Sequence, residues 1–328
     1  MKAGEPLVGS AMEELIGGSG LRAYSRSATY AVMRFYDLMP AMKSVFSNVA
    51  LIGKYMNPEI GEQIEILARY LAERQVAVII EENTARHCNL NTYTTAPISR
   101  IGQVADLAIV LGGDGTMLAA ARDLVDGGIP LIGVNRGRFG FLTDLTAESM
   151  IEGIGQILAG EFNTEERMLL TASVLRGDDC IGTGYALNDV VVNKSAIARL
   201  IELEVHIDGL FVYRQRSDGL IVSTPTGTTA YSLSAGGPIL YPTLDAFALV
   251  PICPHTLSNR PIAISSASKV EVTLVQAEDA RVHYDGQLHT ELLQGDKLVV
   301  QRADSTVTLL HPLGHSHFDV LRAKLRWG

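Results

Sequence analysis

Ala105-Asp106-Leu107-Ala108-Ile109-Val110-Leu111-Gly112-Gly113-Asp114-Gly115-Thr116-Met117-Leu118-Ala119-Ala120-Ala121-Arg122 is the stretch of sequence that decides the fold. Its apolar run ends in two glycines and a carboxylate, and an Ala- and Leu-rich segment follows, which predicts a buried strand, a tight loop and a helix start. Gly112, Gly113 and Gly115 can adopt φ > 0 and lack a Cβ. A polyphosphate could therefore approach backbone N–H groups at the positive end of the helix, where Thr116 could add a hydroxyl. The stretch predicts a phosphate site.

Asp114 is unexpected in a loop that only binds phosphate, because its carboxylate repels an unshielded phosphate. Asp114 therefore indicates a catalytic role, either as the acceptor of a nucleophile's proton or as a partner of Mg²⁺. The simpler interpretation is a glycine-rich turn in which Asp114 caps the helix. The dinucleotide fingerprint GxGxxG fits poorly, because Leu118 stands where the third glycine should be.

Composition narrows the class of protein. The 328 residues allow two domains, and 47% of them are hydrophobic, which is enough for conventional cores. No uninterrupted apolar segment reaches the length of a membrane span, so we expect a soluble protein that binds no membrane. The net charge of -9, with no Lys/Arg-rich run, argues against a nucleic-acid partner. Three scattered cysteines favour the reducing cytoplasm over a disulfide framework or a cysteine zinc site.

The order of predicted elements gives an N-terminal Rossmann-like parallel sheet domain and a C-terminal β-sandwich-like domain. Strands alternate with helical patterns up to a short helix at residues 150–158, and right-handed crossovers make such strands parallel. The pattern then changes to alternating strands, with hairpin signals at Asp208-Gly209 and Asp285-Gly286. Residues 83–101 are polar and predict a surface loop. We predict four segments: a flexible extension or upstream-start artefact (1–42), the α/β domain carrying GGDGT (43–146), a β-rich domain (147–312) and a C-terminal helix that returns to the first domain (313–328).

Two further stretches are unusually polar for strand ends. Asn188 and Asp189 interrupt the apolar strand predicted for residues 185–193, and an amide beside a carboxylate suits the adjacent hydroxyls of a ribose. An Asx turn at a bulge is an equally good interpretation of that segment. Residues 219–238 are dense in hydroxyls and glycines, which suggests a ligand cleft in which Tyr231 offers a face to a flat ring. A structural Ser/Thr-rich turn is the alternative. Arg199 and Arg216 supply cations near phosphate.

The histidines and the C-terminal stripe point to structure rather than function. His255, His283, His289, His311, His315 and His317 show no metal-ligand spacing with a convincing carboxylate, so we expect solvated or packed side chains and no metal held by the protein alone. Phe318, Leu321, Leu325 and Trp327 share one helical stripe, which we expect to be core.

Together, GGDGT (112–116), Asn188-Asp189 and GLIVSTPTGTTAYSLSAGGP (219–238) resemble the NAD kinases in order and spacing, and the agreement extends through NRGRFGFLTD (135–144). GGDGT alone is less specific, because diacylglycerol and sphingosine kinases carry related loops. The resemblance covers about residues 45–327. It implies ATP-dependent phosphorylation of the 2′-hydroxyl of the adenosine ribose of NAD, with Mg²⁺ or another divalent metal, in a cytoplasmic homodimer or homotetramer.

The resemblance also implies roles for individual residues. Asp114 falls at the position of the catalytic base, and Gly112, Gly113, Gly115 and Thr116 form the phosphate-donor loop. The NAD-binding positions of the family are occupied here by Asp114, Gly115, Asn188, Asp189, Arg199, Arg216, Asp218, Thr229, Ala230, Tyr231, Ser232, Leu233, Ser234 and Gln287. The family commonly has Glu where this chain has Asp189, so that contact is expected to be shorter or water-mediated.

Two other functions compete with this one. A lipid kinase of the diacylglycerol kinase type shares the glycine loop, but it needs a wide apolar groove where this chain has a Ser/Thr/Tyr-rich run. A non-catalytic dinucleotide sensor would bind NAD and leave ATP unconsumed.

Overall fold

The parts of the chain that the structure describes include nearly all of the predicted elements. The computed structural model describes residues 44–53, 58–90, 92–135, 140–194, 200–256, 258–277 and 279–327. The predicted extension (1–42), Arg199 and residues 136–139 of NRGRFGFLTD lie outside the described residues.

Parallel strands and the helices between them form the N-terminal half. The central strands are buried along almost their whole length, as expected for apolar runs covered by helices on both faces. In spatial order the strands are β3-β2-β1-β4-β5, all parallel. The elements are β1 (Asn48–Gly53), α1 (Pro58–Glu73), β2 (Ala77–Glu81), α2 (Glu82–His87), β3 (Thr94–Ala96), α3 (Ile98–Val104), β4 (Leu107–Leu111), α4 (Asp114–Leu124), a 3₁₀ turn (Val125–Gly127), β5 (Leu131–Asn135), β6 (Leu145–Thr146) and α5 (Met150–Leu158).

The surface loop predicted for residues 83–101 is wrong. Two short helices and an edge strand, α2, β3 and α3, occupy most of it. The carboxylate of Glu81 caps α2 by accepting the backbone N–H groups of Asn83 at 2.9 Å and Thr84 at 2.7 Å. Ile101 anchors α3 because its side chain is fully buried. Thr84, Ala85 and Leu90 are buried as well, and β3 pairs with β2, so a segment whose composition is polar is ordered by a few buried side chains and by strand pairing.

The C-terminal half consists of antiparallel strands in two sheets. Its elements are β7 (Phe162–Arg176), β8 (Asp179–Ala186), β9 (Asp189–Lys194), β10 (Ile201–Ile207), β11 (Leu210–Ser217), β12 (Gly219–Ser223), a 3₁₀ turn (Thr226–Thr229), α6 (Tyr231–Ser234), β13 (Ala246–Ile252), β14 (Ile262–Ser265), β15 (Val270–Gln276), β16 (Ala280–Tyr284), β17 (Leu288–Leu292), β18 (Lys297–Pro312) and α7 (His317–Leu325). One core is shared by Leu203 and Val272 of one sheet and Leu220, Phe247 and Val282 of the other. This is the packing of a β-sandwich.

Strand β18 joins the two halves. It pairs with β7 along its length and, through Leu309 and Leu131, runs parallel to β5. The larger sheet therefore continues from the α/β half into the β-rich half, in the order β11-β10-β15-β18-β5-β4-β1-β2-β3. The second sheet has the order β14-β13-β12-β9-β16-β17.

Both predicted hairpins are present. Asp208 and Gly209 have φ values of 52° and 78°, the left-handed pair that a two-residue hairpin turn needs between β10 and β11. Asp285 and Gly286, with φ values of 50° and 65°, connect β16 to β17. The single strand predicted for residues 185–193 is broken at residues 187–188, so Asn188 stands at a strand junction.

The C-terminal stripe is only partly core. Leu321 is buried, but Phe318 and Trp327 are 56% and 50% exposed. The ring of Phe318 lies 5.6 Å from that of Tyr241, in the β-rich half. This helix is buried on the side of Leu321 only, so part of its apolar stripe stays exposed. Across the described residues, none of the helices has the length and apolarity needed to cross a membrane.

Candidate active site

The glycine loop connects β4 to α4 as predicted, but its glycines serve a different purpose. Gly112, Gly113 and Gly115 are not among the residues with positive φ, so the loop makes no use of the left-handed backbone that glycine allows. A Cβ on Gly112 would overlap the hydroxyl of Thr116, whereas a Cβ on Gly113 would meet open space. Gly112 is therefore required by packing, and Gly113 leaves room in front of the helix N-terminus.

The carboxylate of Asp114 does not cap its own helix. Gly113 is the N-cap residue, and the side chain of Asp114 instead accepts the backbone N–H groups of Phe141 at 3.0 Å and Leu142 at 3.1 Å. A Cβ on Gly140 would overlap Asp114 Oδ1 and the hydroxyl of Thr143. Because residue 140 is a glycine, the backbone of residues 140–142 can approach the Asp114 carboxylate closely and hold it in place. Asp114 still remains partly exposed. The capping interpretation of Asp114 is wrong.

A buried ion pair ties the GGDGT helix to the β16–β17 hairpin. Arg122, on α4, donates from Nη1 to Asp285 Oδ2 at 2.5 Å and from Nη2 to Gln287 Oε1 at 2.5 Å. The side chains of Arg122 and Asp285 are 7% and 0% exposed. Gln287 then donates its amide to the carbonyl of Gly115 at 2.7 Å. We call Arg122, Asp285 and Gln287 the clamp.

The clamp extends to the Asn188-Asp189 junction. Asp285 accepts the backbone N–H groups of Leu187 at 3.1 Å, Asn188 at 2.7 Å and Asp189 at 3.2 Å. These bonds give hydrogen-bond acceptors to the backbone N–H groups between the end of β8 and the start of β9. Because the same carboxylate binds Arg122, the end of the GGDGT helix and the Asn188-Asp189 junction are held by one residue.

The hydroxyl-rich stretch lies against the same junction. The carbonyl of Asn188 accepts the backbone N–H of Thr224 at 2.9 Å and its hydroxyl at 3.2 Å. A Cβ on Gly227 would overlap that carbonyl. The three stretches singled out in the sequence are therefore linked in space through a continuous series of hydrogen bonds. Part of the hydroxyl-rich stretch is structural, since Ser223, Thr224 and Thr228 are buried and bonded to backbone carbonyls.

Asp189 is buried and has an unusual carboxyl group. Desolvation by burial, together with the nearby charge of Asp285, raises its pKa to about 7. A carboxyl group that is half protonated at neutral pH can either donate a hydrogen bond to a sugar hydroxyl or accept one. Burial also raises the pKa of Tyr231, and Asp189 and Asp218 add to that shift. Tyr231 therefore lies within electrostatic reach of the junction and remains 43% exposed.

The remaining family positions are spread over neighbouring elements. Asp218 precedes β12 and pairs with Lys194 at 2.6 Å, a partner that the sequence did not indicate. Arg216 is exposed on β11. The others lie in the 3₁₀ turn and at α6, where Ser232 is buried, Thr229, Ala230 and Leu233 are half-buried and Ser234 is exposed. The described contacts do not join Arg216 to the glycine loop, and Arg199 lies outside the described residues.

Sequence reasoning missed the two residues that assemble the site. Arg122 ends the glycine-loop stretch without a motif of its own, and the sequence predicts Asp285 only as a turn residue. They lie 163 residues apart, so no local pattern pairs them. The available signal was an acid in a hairpin turn beside Gln287, a position that the resemblance already marked.

Two family models match the chain. The model described as the ATP-NAD kinase N-terminal domain matches residues 49–162, and the model described as the ATP-NAD kinase C-terminal domain matches residues 187–311. Among curated relatives, the NAD kinase of Thiobacillus denitrificans is 51% identical over 287 residues, which cover 88% of this chain and 99% of the relative. The NAD kinase of Nitrosomonas europaea is 49% identical over 284 residues, covering 87% and 96%.

Solved structures show the same likeness. Yeast NADH kinase, solved in complex with NADH, superposes with a TM-score of 0.79 at 25% identity and covers 86% of this chain and 88% of that chain. An NAD kinase from Archaeoglobus fulgidus, solved in complex with ATP, superposes with a TM-score of 0.69 at 26% identity and covers 85% and 98%.

Proposed function

The chain belongs to the ATP-NAD kinase family, and on that premise we propose that Asp114 is the general base of its reaction. The reaction is the transfer of a phosphoryl group from ATP to the 2′-hydroxyl of the adenosine ribose of NAD, which gives NADP. The observation that carries the assignment is the geometry of Asp114. Asp114 is the first residue of α4, and its carboxylate accepts the backbone N–H groups of Phe141 and Leu142. Asp114 nevertheless stays partly exposed.

The role of Asp114 follows from that arrangement. Each carboxylate oxygen uses one lone pair on a backbone N–H and keeps another for the ligand side. The ribose hydroxyl can then donate to Asp114, which orients its oxygen toward the phosphorus. A carboxylate is a weak base, but the transition state of phosphoryl transfer is loose, so the proton can leave late. Asp114 therefore positions the nucleophile first and accepts its proton as the P–O bond forms.

The residues present suit a metal that arrives with the nucleotide. Among the described residues, Asp114 belongs to no group of three or more ligating side chains. Mg²⁺ usually binds through one or two carboxylates together with substrate phosphates and water, which matches one partly exposed aspartate beside a glycine loop. We propose that Asp114 contacts Mg²⁺ directly or through water. The ion, when bound, offsets the charge of the ATP phosphates.

We propose that NAD binds next to the clamp, in contact with the residues named below. Asn188 and Asp189 would bind ribose hydroxyls, since they offer an amide and a carboxyl group that is both donor and acceptor near neutral pH. Tyr231 would stack on a ring, supported by its exposure at the start of α6. Arg199 and Arg216 would meet the diphosphate. Asp218, Gln287 and the residues of the 3₁₀ turn and α6 complete the proposed set.

We propose that the chain works as a homodimer or homotetramer in the cytoplasm. Support for self-association comes from strand β11, which ends the larger sheet with Leu210 and Phe211 exposed by 73% and 60%. Support for the compartment comes from Cys88, Cys180 and Cys253, which are free thiols and are compatible with a reducing environment.

The test is Asp114→Asn. Loss of the carboxylate should remove most NADP formation while NAD still binds, measured by mass spectrometry of the products and by calorimetry. Asn keeps one acceptor oxygen, so one of the two backbone N–H groups loses its partner, which costs about 1 kcal/mol and predicts a folded variant. Asp126→Asn, on the exposed turn after α4, is the matched control and should keep wild-type turnover. NADP formation by Asp114→Asn at the wild-type rate contradicts the base assignment.

The same assay separates the competing functions. Wild-type protein incubated with ATP and either NAD or diacylglycerol should phosphorylate NAD alone. A lipid kinase would give the opposite result, and a sensor would bind NAD without consuming ATP. The family match and the curated relatives do not favour either alternative.

A further inference from the structure

A cluster of histidines lies where β18 ends and α7 begins. Three of the chain's eight histidines fall within residues 311–317, and the carboxylate that the sequence did not supply locally comes from Asp144. Nδ1 of His311 lies 2.5 Å from Asp144 Oδ2, and Nδ1 of His315 lies 3.0 Å from Asp144 Oδ1. The two imidazole rings stack with centroids 4.2 Å apart. For His311 and His315, the expectation of no convincing carboxylate is therefore wrong.

The cluster has the burial and spacing of a metal site. The side chains of His311, Asp144 and His315 are 5%, 10% and 15% exposed. Their ligand atoms all lie within 4.8 Å of one another, and no other group of three in the described residues does so. Nε2 of His311 is buried and has no hydrogen-bond partner. It faces Glu165, whose Oε2 is 4.0 Å away.

We propose that Asp144, His311 and His315 bind a Zn²⁺ ion that is separate from the phosphoryl-transfer site. Two imidazole nitrogens and one carboxylate are ligands that zinc accepts and that Mg²⁺ does not favour. Zn²⁺ binds such ligands at about 2.0–2.2 Å, so the carboxylate and the imidazoles must separate slightly to admit it. His315 can move, because it lies on the connection between β18 and α7 rather than inside either element. Water would complete the coordination.

The proton inventory of His311 agrees with this assignment. When Nδ1 binds a metal, the ring proton moves to Nε2, and ligating histidines usually donate that proton to a carboxylate. Glu165 lies on that side of the ring, and its Oε2, 4.0 Å from Nε2, would have to approach by about 1 Å to accept the proton. The nearby positive charge of Arg167 is already offset, because its Nε lies 2.6 Å from Glu165 Oε1. A cation at the cluster therefore does not face an uncompensated guanidinium.

Asp144 presents one carboxylate oxygen to each imidazole, with Oδ2 beside Nδ1 of His311 and Oδ1 beside Nδ1 of His315. The ion would also connect distant parts of the chain. Asp144 closely follows Leu142, whose N–H binds Asp114, and the histidines belong to the C-terminal segment. Zinc would therefore stabilise the fold behind the Asp114 loop rather than take part in the reaction.

The experiment uses the full, tag-free chain after removal of metals with EDTA. Zinc would be counted by elemental analysis after dialysis, its affinity measured by competition with a chromophoric chelator, and Co²⁺ used as a spectroscopic substitute. We expect one Zn²⁺ per chain, the visible spectrum of Co²⁺ in a four- or five-coordinate site, and a higher thermal midpoint with zinc. Less than one zinc per chain, or a Co²⁺ spectrum that shows only the hydrated ion, overturns the proposal.

Variants locate the ion. His315→Asn keeps a hydrogen-bond donor for Asp144 but removes an imidazole ligand, and Asp144→Asn removes the carboxylate. Removing a residue that only hydrogen-bonds a metal ligand typically weakens metal binding by about 10- to 100-fold. Each of these two variants removes a ligand itself and should weaken zinc binding by more than that. His206→Ala is the matched control on β10, and it should bind zinc like the wild type. Wild-type affinity in either ligand variant overturns the assignment, and if one of them fails to fold, the other and the Co²⁺ spectrum decide.

Discussion

The clamp makes a strong prediction about stability, which Arg122→Ala tests. The substitution removes one partner of an ion pair whose side chains are 7% and 0% exposed, and it leaves Asp285 as a buried carboxylate without its cation. Breaking a buried pair in this way costs about 3–5 kcal/mol. Asp285 keeps the N–H groups of Leu187, Asn188 and Asp189, so we expect the lower end of that range, about 3 kcal/mol. With an unfolding entropy of about 2.1 cal/mol/K per residue, that loss lowers the thermal midpoint of the 328-residue chain by roughly 4–5 °C.

The same variant should lose activity for a separate reason. Without Arg122, Gln287 loses the contact that orients its amide toward the carbonyl of Gly115, next to Asp114. A displacement of about 1 Å near reacting groups can cost about 100-fold in rate. We therefore expect kcat for NADP formation to fall by up to about 100-fold at a temperature where the variant is fully folded.

Two controls separate the clamp from a general effect of losing an arginine. Arg69→Ala removes a cation from the exposed face of α1, where its pair with Glu65 spans 3.5 Å and both side chains are about half exposed. It should change stability by less than about 1 kcal/mol and leave kcat unchanged. Arg122→Lys keeps the charge but loses the planar guanidinium that donates to Asp285 and Gln287 from two separate nitrogens, so it should recover stability more than kcat. An Arg122→Ala variant that unfolds within about 1 kcal/mol of wild type with normal kcat refutes the reasoning.

Two further predictions concern the acids. Gly140→Ala should fold but lose up to about 100-fold in kcat, because its Cβ would displace the Asp114 carboxylate. Steady-state kinetics, with thermal unfolding to show that the variant is folded, checks this, and a wild-type kcat in Gly140→Ala contradicts it. Asp189 has a folded-state pKa of about 7 against about 3.9 unfolded, because of burial and of Asp285. Between these values the folded state holds a proton that the unfolded state has lost, so this residue makes stability fall as pH rises from about 4 to 7 and adds no slope above that range. Denaturant unfolding at several pH values should show a smaller fall for Asp189→Asn than for wild type, and identical slopes would contradict the shifted pKa.

Elements with strong local patterns were predictable from the sequence. β4, the glycine loop and α4 follow from an apolar run, glycines and an Ala-rich segment, and both Asp-Gly hairpins follow from the left-handed backbone that those residues accept. The segment 83–101 was not predictable in the same way. Its order depends on the capping carboxylate of Glu81, on a few scattered buried side chains and on the pairing of β3 with β2, and none of these produces a periodic signal.

The candidate site shows the same division. The sequence marked the stretches around Asp114, Asn188 and Thr224, because glycines, amides and hydroxyls at strand ends cost free energy unless they are used. It could not show that Asp285 joins them, because that contact depends on how two distant elements pack. Nor could it show that the backbone of Phe141 and Leu142 holds Asp114. The types of residue in a stretch indicate which groups a site can offer to a ligand. How those groups come together depends on contacts between elements that are distant in the sequence.

Three aspartates meet around the proposed site, and their environments decide which one can act as a base. Asp285 is fully buried and already bound to Arg122 and three backbone N–H groups, so it has no lone pair to offer a ligand. Asp189 is buried, and burial together with the charge of Asp285 raises its pKa to about 7, which suits a hydrogen-bonding role toward a sugar hydroxyl. Asp114 alone is partly exposed, held by only two N–H groups and placed at the N-terminus of α4. Because groups with different surroundings take different roles in one site, the environments of the three acids support the proposal that Asp114 is the base.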